Sequence, residues 1–239
     1  MSTFHFQQFS VEQSQSGMKV CTDSVLFGAM APIKAGANVL DIGTGTGLLS
    51  LMAAQLGAAQ VTAVELTLPA YHEALLNFNN SPWANRLCII HQDIQQFSRY
   101  HDAKVYDLII CNPPFFEKHL KTTDALRQTA RHTDQLPFED LVQCVEYLLA
   151  ETGLFYVLLP AHAVEKFTDL AQSVGLYLNH QTDFKGYEHN DSKVSALRFH
   201  RTPQTLCKKL HTIYQAHRIY SKDSETYLAD FLLRFAKKP

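Results

Sequence analysis

The sequence predicts an α/β domain built on a doubly wound, mostly parallel sheet. Three observations carry that expectation. Short apolar runs rich in β-branched residues alternate with segments of helical period. Several of those runs are apolar almost throughout, as strands covered on both faces must be. A glycine-rich turn also follows the first sheet strand directly, at Gly43, Gly45 and Gly47.

Taken in order, about 35 residues precede that strand, and within them Thr22–Met30 reads as a short helix capped by Thr22 or Asp23. Strands are expected at Asn38–Ile42, Gln60–Glu65, Leu87–His91, Val105–Cys111 and Leu154–Leu159. Helices are expected between them, over Gly47–Leu56, Pro69–Asn79, Pro137–Ala150 and His162–Val174. In the third of these helices Phe138, Leu141, Val142, Val145, Leu148 and Leu149 recur at the helical period, with Pro137 suited to the first position and Gly153 to the exit. Leu176–Phe184 and Val194–Arg201 flank a polar stretch and would close the sheet as a hairpin. In Ser224–Phe235, residues Tyr227, Leu228, Phe231, Leu232 and Phe235 fall on one helical face. The organisation expected is one domain over residues 1–239: a lid-like extension over 1–35, a core sheet over 36–201 and a basic helical segment over 202–239.

A chain of 239 residues, 46% hydrophobic and 18% charged, suits one such domain. No apolar run reaches the roughly 20 residues of a membrane span, and the first residues lack a secretory pattern. Five scattered cysteines with no CxxC pair argue against a structural metal or a disulfide framework and fit reduced, cytoplasmic thiols. No strong unpaired apolar stripe is visible, so a monomer is expected. The net charge of −2 is unevenly spread: from Arg201 onward eight Lys/Arg face three acids, which leaves −7 over the first 200 residues. A basic tail is an ordinary solvated surface in many proteins, but it also suits phosphate neutralisation.

The turn Asp41-Ile42-Gly43-Thr44-Gly45-Thr46-Gly47 has GxGxG spacing, neither the GxGxxG of dinucleotide sites nor the GK[ST] ending of a phosphate loop. Glycine here lets the backbone approach a ligand closely. Asp41 would face a cationic amino-acid group, which S-adenosylmethionine carries and a pyrophosphate does not. Glu65, 24 residues after Asp41, ends the next strand where an acid could accept ribose hydroxyls. After the third strand Asp93 would accept from an adenine amino group, with Ile94 covering the ring. Singly, Asp93 could be a helix cap and Glu65 a solvated strand end. Together at successive strand ends they point to an S-adenosylmethionine site.

Asn112-Pro113-Pro114-Phe115 follows the fourth apolar run. An exocyclic amine on a base is a weak nucleophile because its lone pair is delocalised into the ring. The Asn112 side-chain oxygen and the Pro113 carbonyl can bind its two hydrogens while the nitrogen becomes tetrahedral. Pro113 and Pro114 stiffen the bend, and Phe115 can stack on a base flipped out of its helix or loop. Catalysis would rest on orientation and electrostatics.

These residues resemble the Rossmann-like, S-adenosylmethionine-dependent methyltransferases of the Asn-Pro-Pro-aromatic type, which implies a seven-stranded sheet with an antiparallel last strand. A closer resemblance runs over nearly the whole chain. The stretch from Phe4 to Phe9, Met18 to Ser24, Ala130-Arg131-His132 and His217 to Tyr220 resemble the bacterial enzymes that methylate N6 of adenine 37 in a valine tRNA. By that resemblance Lys19, Thr22 and Leu66 would join Asp41, Gly43, Gly45, Gly47, Glu65, Asp93, Ile94 and Asn112 around the cofactor. Where the family commonly has Gly-Thr-Asp this chain has Cys21-Thr22-Asp23, and after Glu65 its acidic strand continues as Leu66-Thr67. Lys118, Lys121, Arg127 and Arg131 in the long polar segment 116–135, with Lys208, Lys209 and Arg218, would contact tRNA. The same chemistry would serve an adenine or guanine of ribosomal RNA. It would also serve a glutamine amide of a translation factor, although such enzymes usually carry Tyr at the Phe115 position and a separate N-terminal helical domain. A cofactor-binding scaffold without catalysis is a third reading, against which the retention of Asn112 and the acids speaks.

Overall fold

The computed structural model describes residues 3–15, 17–113 and 136–236. Strands β3 (Asn38–Ile42), β4 (Gln60–Glu65), β5 (Leu87–His91), β6 (Tyr106–Cys111) and β7 (Leu149–Pro160) lie parallel. They are joined with β8 (Tyr177–Lys185), β9 (Val194–His200) and β10 (Cys207–Thr212) in one eight-stranded sheet of order β10-β8-β9-β7-β6-β3-β4-β5. Alternation along each strand feeds two cores. Val39, Leu108 and Ile110 point to one side, where helices α1 (Thr22–Ala29), α2 (Leu48–Gln55) and α3 (Leu68–Asn79) pack. Leu40, Ile42 and Ile109 point to the other, against α4 (Ile94–Tyr100), α5 (Phe138–Leu148) and α6 (Val164–Ser173). The period of two in the strands thus produces a doubly wound α/β sheet.

The helices form where local chemistry starts and stops them. α5 begins after Pro137 with Glu139 and Asp140 in its first turn, acids that complement the positive end of the helix dipole. It buries Leu141, Val142, Val145 and Leu148 and ends where Leu149 turns extended. An acid at Val145, which is fully buried, would leave an unpaired charge in that core.

Four expectations are corrected. Seven strands were expected, with the last antiparallel. β9 is indeed antiparallel, between β7 and β8, but β10 adds an eighth strand parallel to β8. The segment beyond residue 201, expected to be helical, accordingly opens with β10 and a small antiparallel pair, β11 (Tyr214–Ala216) with β12 (Ile219–Tyr220). Its helix α7 spans only Lys222–Leu228. It stops there because Gln7 reaches the chain just beyond: its side-chain amide donates to the carbonyls of Ala229 and Leu232, and its backbone N–H to that of Phe231. α1 is preceded by Cys21 with no side-chain cap, rather than capped by Thr22 or Asp23. The N-terminal strands β1 (Thr3–His5) and β2 (Ser10–Glu12) pair with each other. The segment around them buries Phe6, Phe9 and Val11 in the first core, so it is a packed flank rather than a lid.

Candidate active site

The site assembles where strands β3, β4, β5 and β6 end. β3 and β6 are neighbours, with Ile42 opposite Cys111. Gly43 and Asn112, the next residue of each, therefore emerge side by side, at roughly the 4.8 Å spacing of adjacent strands. The glycine turn and the Asn-Pro motif, far apart in sequence, share one edge.

Asp41 is 1% exposed. Its Oδ2 accepts from Thr44 Oγ1 at 2.6 Å and from Ser50 Oγ at 2.7 Å. Among the described residues its Oδ1 is buried with no hydrogen-bond partner. Burial, outweighing the two hydroxyl bonds, pushes the carboxyl up to about 6, and the nearby Glu65 adds to the shift. A buried acceptor in this state is an incomplete arrangement that a cationic donor would complete. Gly43, Gly45 and Gly47 all have positive φ, at 69°, 56° and 83°. A Cβ at Gly43 or Gly45 would meet nothing within 4 Å, so the turn faces open space. A Cβ at Gly47 would lie 2.5 Å from Phe78 Cε1, so that glycine serves packing against α3.

Glu65 is nearly buried and holds the turn from the β4 side. Its Oε2 accepts from Gly45 N at 2.9 Å, and its Oε1 from Thr67 N and Oγ1 at 2.9 and 2.8 Å. Asp93 caps α4 through its Oδ1, which accepts from Gln96 N at 2.6 Å, so Oδ2 is the oxygen left to a ligand. Ile94 is buried behind it and Leu66 is 44% exposed at the rim. Lys19 is exposed ahead of α1, and the Thr22 hydroxyl shares a 2.9 Å bond with Tyr214 Oη. Asn112 Nδ2 donates to Ser24 Oγ at 3.3 Å, which turns the amide so that Oδ1 is the atom available to a substrate. Cys111, next in line, is buried, and burial together with Asp41 drives its thiol far above the ordinary range. It stays neutral and is no competing nucleophile.

Pro114, Phe115, Lys118, Lys121, Arg127 and Arg131 lie outside the described residues. Lys208 and Lys209 are successive, exposed positions of β10 and point to opposite faces of the sheet. Arg218 is exposed in the β11–β12 turn with φ 59°. Sequence reasoning missed the residues that hold the site: Thr44, Ser50, Thr67, Ser24, and Asn77, whose Nδ2 donates to Thr46 O at 2.8 Å. Hydroxyls and amides of this kind carry no periodic or spacing signal. Among the described residues no cluster of three or more His, Cys, Asp or Glu could hold a metal ion, and no helix is long and apolar enough to cross a membrane.

Comparison with known proteins gives the family and the fold. The family model described as "Methyltransferase small domain" matches residues 14–136. A tRNA1(Val) (adenine(37)-N6)-methyltransferase of Flavobacterium psychrophilum is 40% identical over 233 residues, covering 97% of this chain and 99% of the relative. One of Bacteroides fragilis is 44% identical over 178 residues, 74% of this chain and 75% of the relative. Among solved structures, a predicted O-methyltransferase from Agrobacterium tumefaciens superposes with a TM-score of 0.67 at 13% identity, covering 85% of this chain and 94% of that one. A TehB-like SAM-dependent methyltransferase from Corynebacterium glutamicum superposes with a TM-score of 0.53 at 18% identity, covering 78% and 90%. The structural likenesses show the fold, and the sequence match along nearly the full length of both chains adds the family. The chain belongs to the tRNA1(Val) (adenine(37)-N6)-methyltransferase family.

Proposed function

We propose that the chain methylates the exocyclic N6 of an adenine in tRNA, adenine 37 of a valine tRNA, using S-adenosylmethionine, and that it acts as a cytoplasmic monomer. The observation that carries this reading is the juxtaposition of Gly43 and Asn112 at the paired ends of β3 and β6. It puts a cofactor turn with a buried orphan acceptor beside an oriented amide. The family's relatives are named for this substrate, and the basic residues near the C-terminus suit it.

The residues present fit the cofactor. Asp41 Oδ1 serves the amino group of its amino-acid end, directly or through water, and the open sides of Gly43 and Gly45 leave room for that end. Glu65 serves the ribose, Asp93 Oδ2 the adenine amine, and Ile94 and Leu66 flank the ring. When bound, the cofactor supplies an electrophilic methyl group on a sulfonium.

The protein's own work lies on the acceptor side. Asn112 Oδ1 and the Pro113 carbonyl hold the two amine hydrogens of the target base and draw its nitrogen toward tetrahedral geometry. Ser24 keeps the Asn112 amide in that orientation. Pro113 limits the bend, and in the sequence reading Pro114 would do the same and Phe115 would support the flipped base. The methyl is gained by nitrogen, one N–H proton is released to solvent through these acceptors, and no strong base is needed.

The test is incubation of unmodified valine tRNA with radiolabelled cofactor followed by nucleoside analysis. N6-methyladenosine well above an Asn112→Ala control supports the reading. Its absence, or label entering protein that ribonuclease does not release, overturns it.

A further inference from the structure

A cleft beside the site is left unassigned by this chemistry. It has a volume of about 330 Å³ and lies between the first turn of α1 and the β8–β9 turn, lined among others by Thr22, Asp23, Asn190, Lys193 and Tyr214. That volume is near the lower bound of small-ligand pockets, roughly 300 Å³. Its polar groups are of two kinds. Asp23 is half-buried in the wall, where burial raises its carboxyl and the Lys193 ammonium partly offsets the rise. Lys193 itself is exposed.

One wall continues into a row of rings. His189 stacks on Tyr187 with centroids 5.7 Å apart and planes 7° apart. Tyr187 lies 5.6 Å from Tyr214, and Tyr214 stacks on Tyr220 at 5.0 Å and 20°. The Arg234 guanidinium sits 5.0 Å over the Tyr220 ring. His189 and Arg234 are exposed and the three tyrosines only half-buried. A row of partly exposed rings, stacked at its two ends, tilted by 34° between Tyr187 and Tyr214 and ending in a cation, leaves ring surface against which a base can lie without needing a particular sequence.

The row is tied to the reaction centre through α1. Tyr214 Oη bonds Thr22, and Ser24, two residues on and roughly 3 Å along the helix axis, bonds Asn112. A base flipped toward Asn112 leaves its neighbours in the loop unstacked. We infer that the cleft is a second nucleotide site, holding the nucleotide next to the target adenine. Its base lies against the Tyr187–Tyr214 row, Asp23 accepts from N–H groups on its edge, and Lys193 meets its phosphate. This rests on the adenine-methylating reading above.

The test uses the full chain and three stem–loop RNAs: one intact, and two in which the nucleotide on one or the other side of the target adenine is abasic. With wild-type protein, one of the two abasic RNAs should raise KM on the order of tenfold, as loss of a stacked base does, and leave kcat nearly unchanged. Asp23→Asn should raise KM for the intact RNA and add little on that abasic RNA, because both changes remove the contact to the base edge, whereas Lys193→Ala should raise KM for the intact and that abasic RNA alike, because an abasic nucleotide keeps its phosphate. The abasic RNAs probe the site with the wild-type protein, so the test stands even if D23N fails to fold. Equal KM values for all three RNAs, or Asp23→Asn and abasic penalties that multiply, would overturn the second site while leaving the proposed reaction standing. No methylation of the intact RNA would overturn both.

Discussion

The three glycines of the turn do different work, and alanine substitution should separate them. Gly47 has φ 83°, and a methyl there would sit 2.5 Å from Phe78 Cε1, an atom of a ring that is 2% exposed in the first core. Left-handed backbone costs a residue with a Cβ about 1–2 kcal/mol, and overpacking a full core about 1–3 kcal/mol. Gly47→Ala should therefore lose roughly 2–5 kcal/mol, which for a domain of this size lowers Tm by about 4–20 °C. Gly45 has φ 56° and an empty surround, so Gly45→Ala should lose only about 1–2 kcal/mol. Its methyl, however, points into the space assigned to the cofactor. Thermal unfolding and calorimetric titration with S-adenosylmethionine check both variants. G47A should be the unstable protein, and G45A the stable one whose cofactor Kd rises by at least about tenfold, since the glycine exists for close backbone approach. A G47A protein melting within a degree or two of wild type, or a G45A protein binding normally, would refute this division of labour.

Further outcomes follow from the same contacts. Between the unfolded carboxylate range near 3.8 and about 6, folded Asp41 holds a proton that the unfolded chain has lost. Stability therefore falls as pH rises through that window, to a penalty on the order of 3 kcal/mol above it. Asp41→Asn should be more stable than wild type at neutral pH and should converge with it at acid pH, as denaturant melts at several pH values will show. Cofactor affinity of the wild type should in turn weaken as pH falls below about 6, because a neutral Asp41 cannot face a cationic amine; a flat pH profile by calorimetry would count against that role. Ser24→Ala frees the Asn112 amide and should lower kcat by roughly tenfold to a hundredfold through misorientation, with tRNA KM little changed. Apparent tRNA affinity should drop steeply between low and physiological salt. Lys208→Ala and Lys209→Ala should weaken it unequally, since their side chains leave β10 on opposite faces.

The parts of the fold that were legible in the sequence are those buried on both faces. Asn38–Ile42 and Gln60–Glu65 form strands over the expected residues because apolar runs between turn residues admit few other structures; Leu87–His91 does so too, although it is an edge strand with no buried residue. β10 was not legible. In Cys207–Thr212 only His211 is buried, and the strand exists because β8 offers it an edge. Phe231 and Leu232 have helical spacing with Leu228, yet they leave the helix because Phe6 and Gln7 bind the chain there in extended form. In the candidate site, the gathering of Asp41, Glu65 and Asn112 at one edge could be expected because a parallel sheet brings its strand ends together whatever lies between. Ser24, Thr44, Ser50 and Thr67 could not, since hydroxyls suit many positions and only the folded chain shows which acid or amide each one holds. Asp93 has the helix cap that its spacing also allowed, alongside the oxygen it keeps for a ligand.

The bonds of Glu65 bear on turnover. An ionised carboxylate offers about four lone-pair positions. Three of them are taken, one by the Gly45 N–H and two by Thr67. In the ribose role proposed for Glu65, an arriving diol would need two, so one internal bond would have to give way, and the Thr67 hydroxyl is the donor that can rotate aside. Occupation by nucleoside thus displaces a bond worth about 1 kcal/mol, which re-forms on departure. The empty site is self-satisfied at this carboxylate, which favours dissociation of the spent cofactor, whose ribose is the same as that of the methyl donor. An enzyme that must discard one nucleoside and admit a near-identical one in each cycle gains by not gripping either as tightly as its acids would allow.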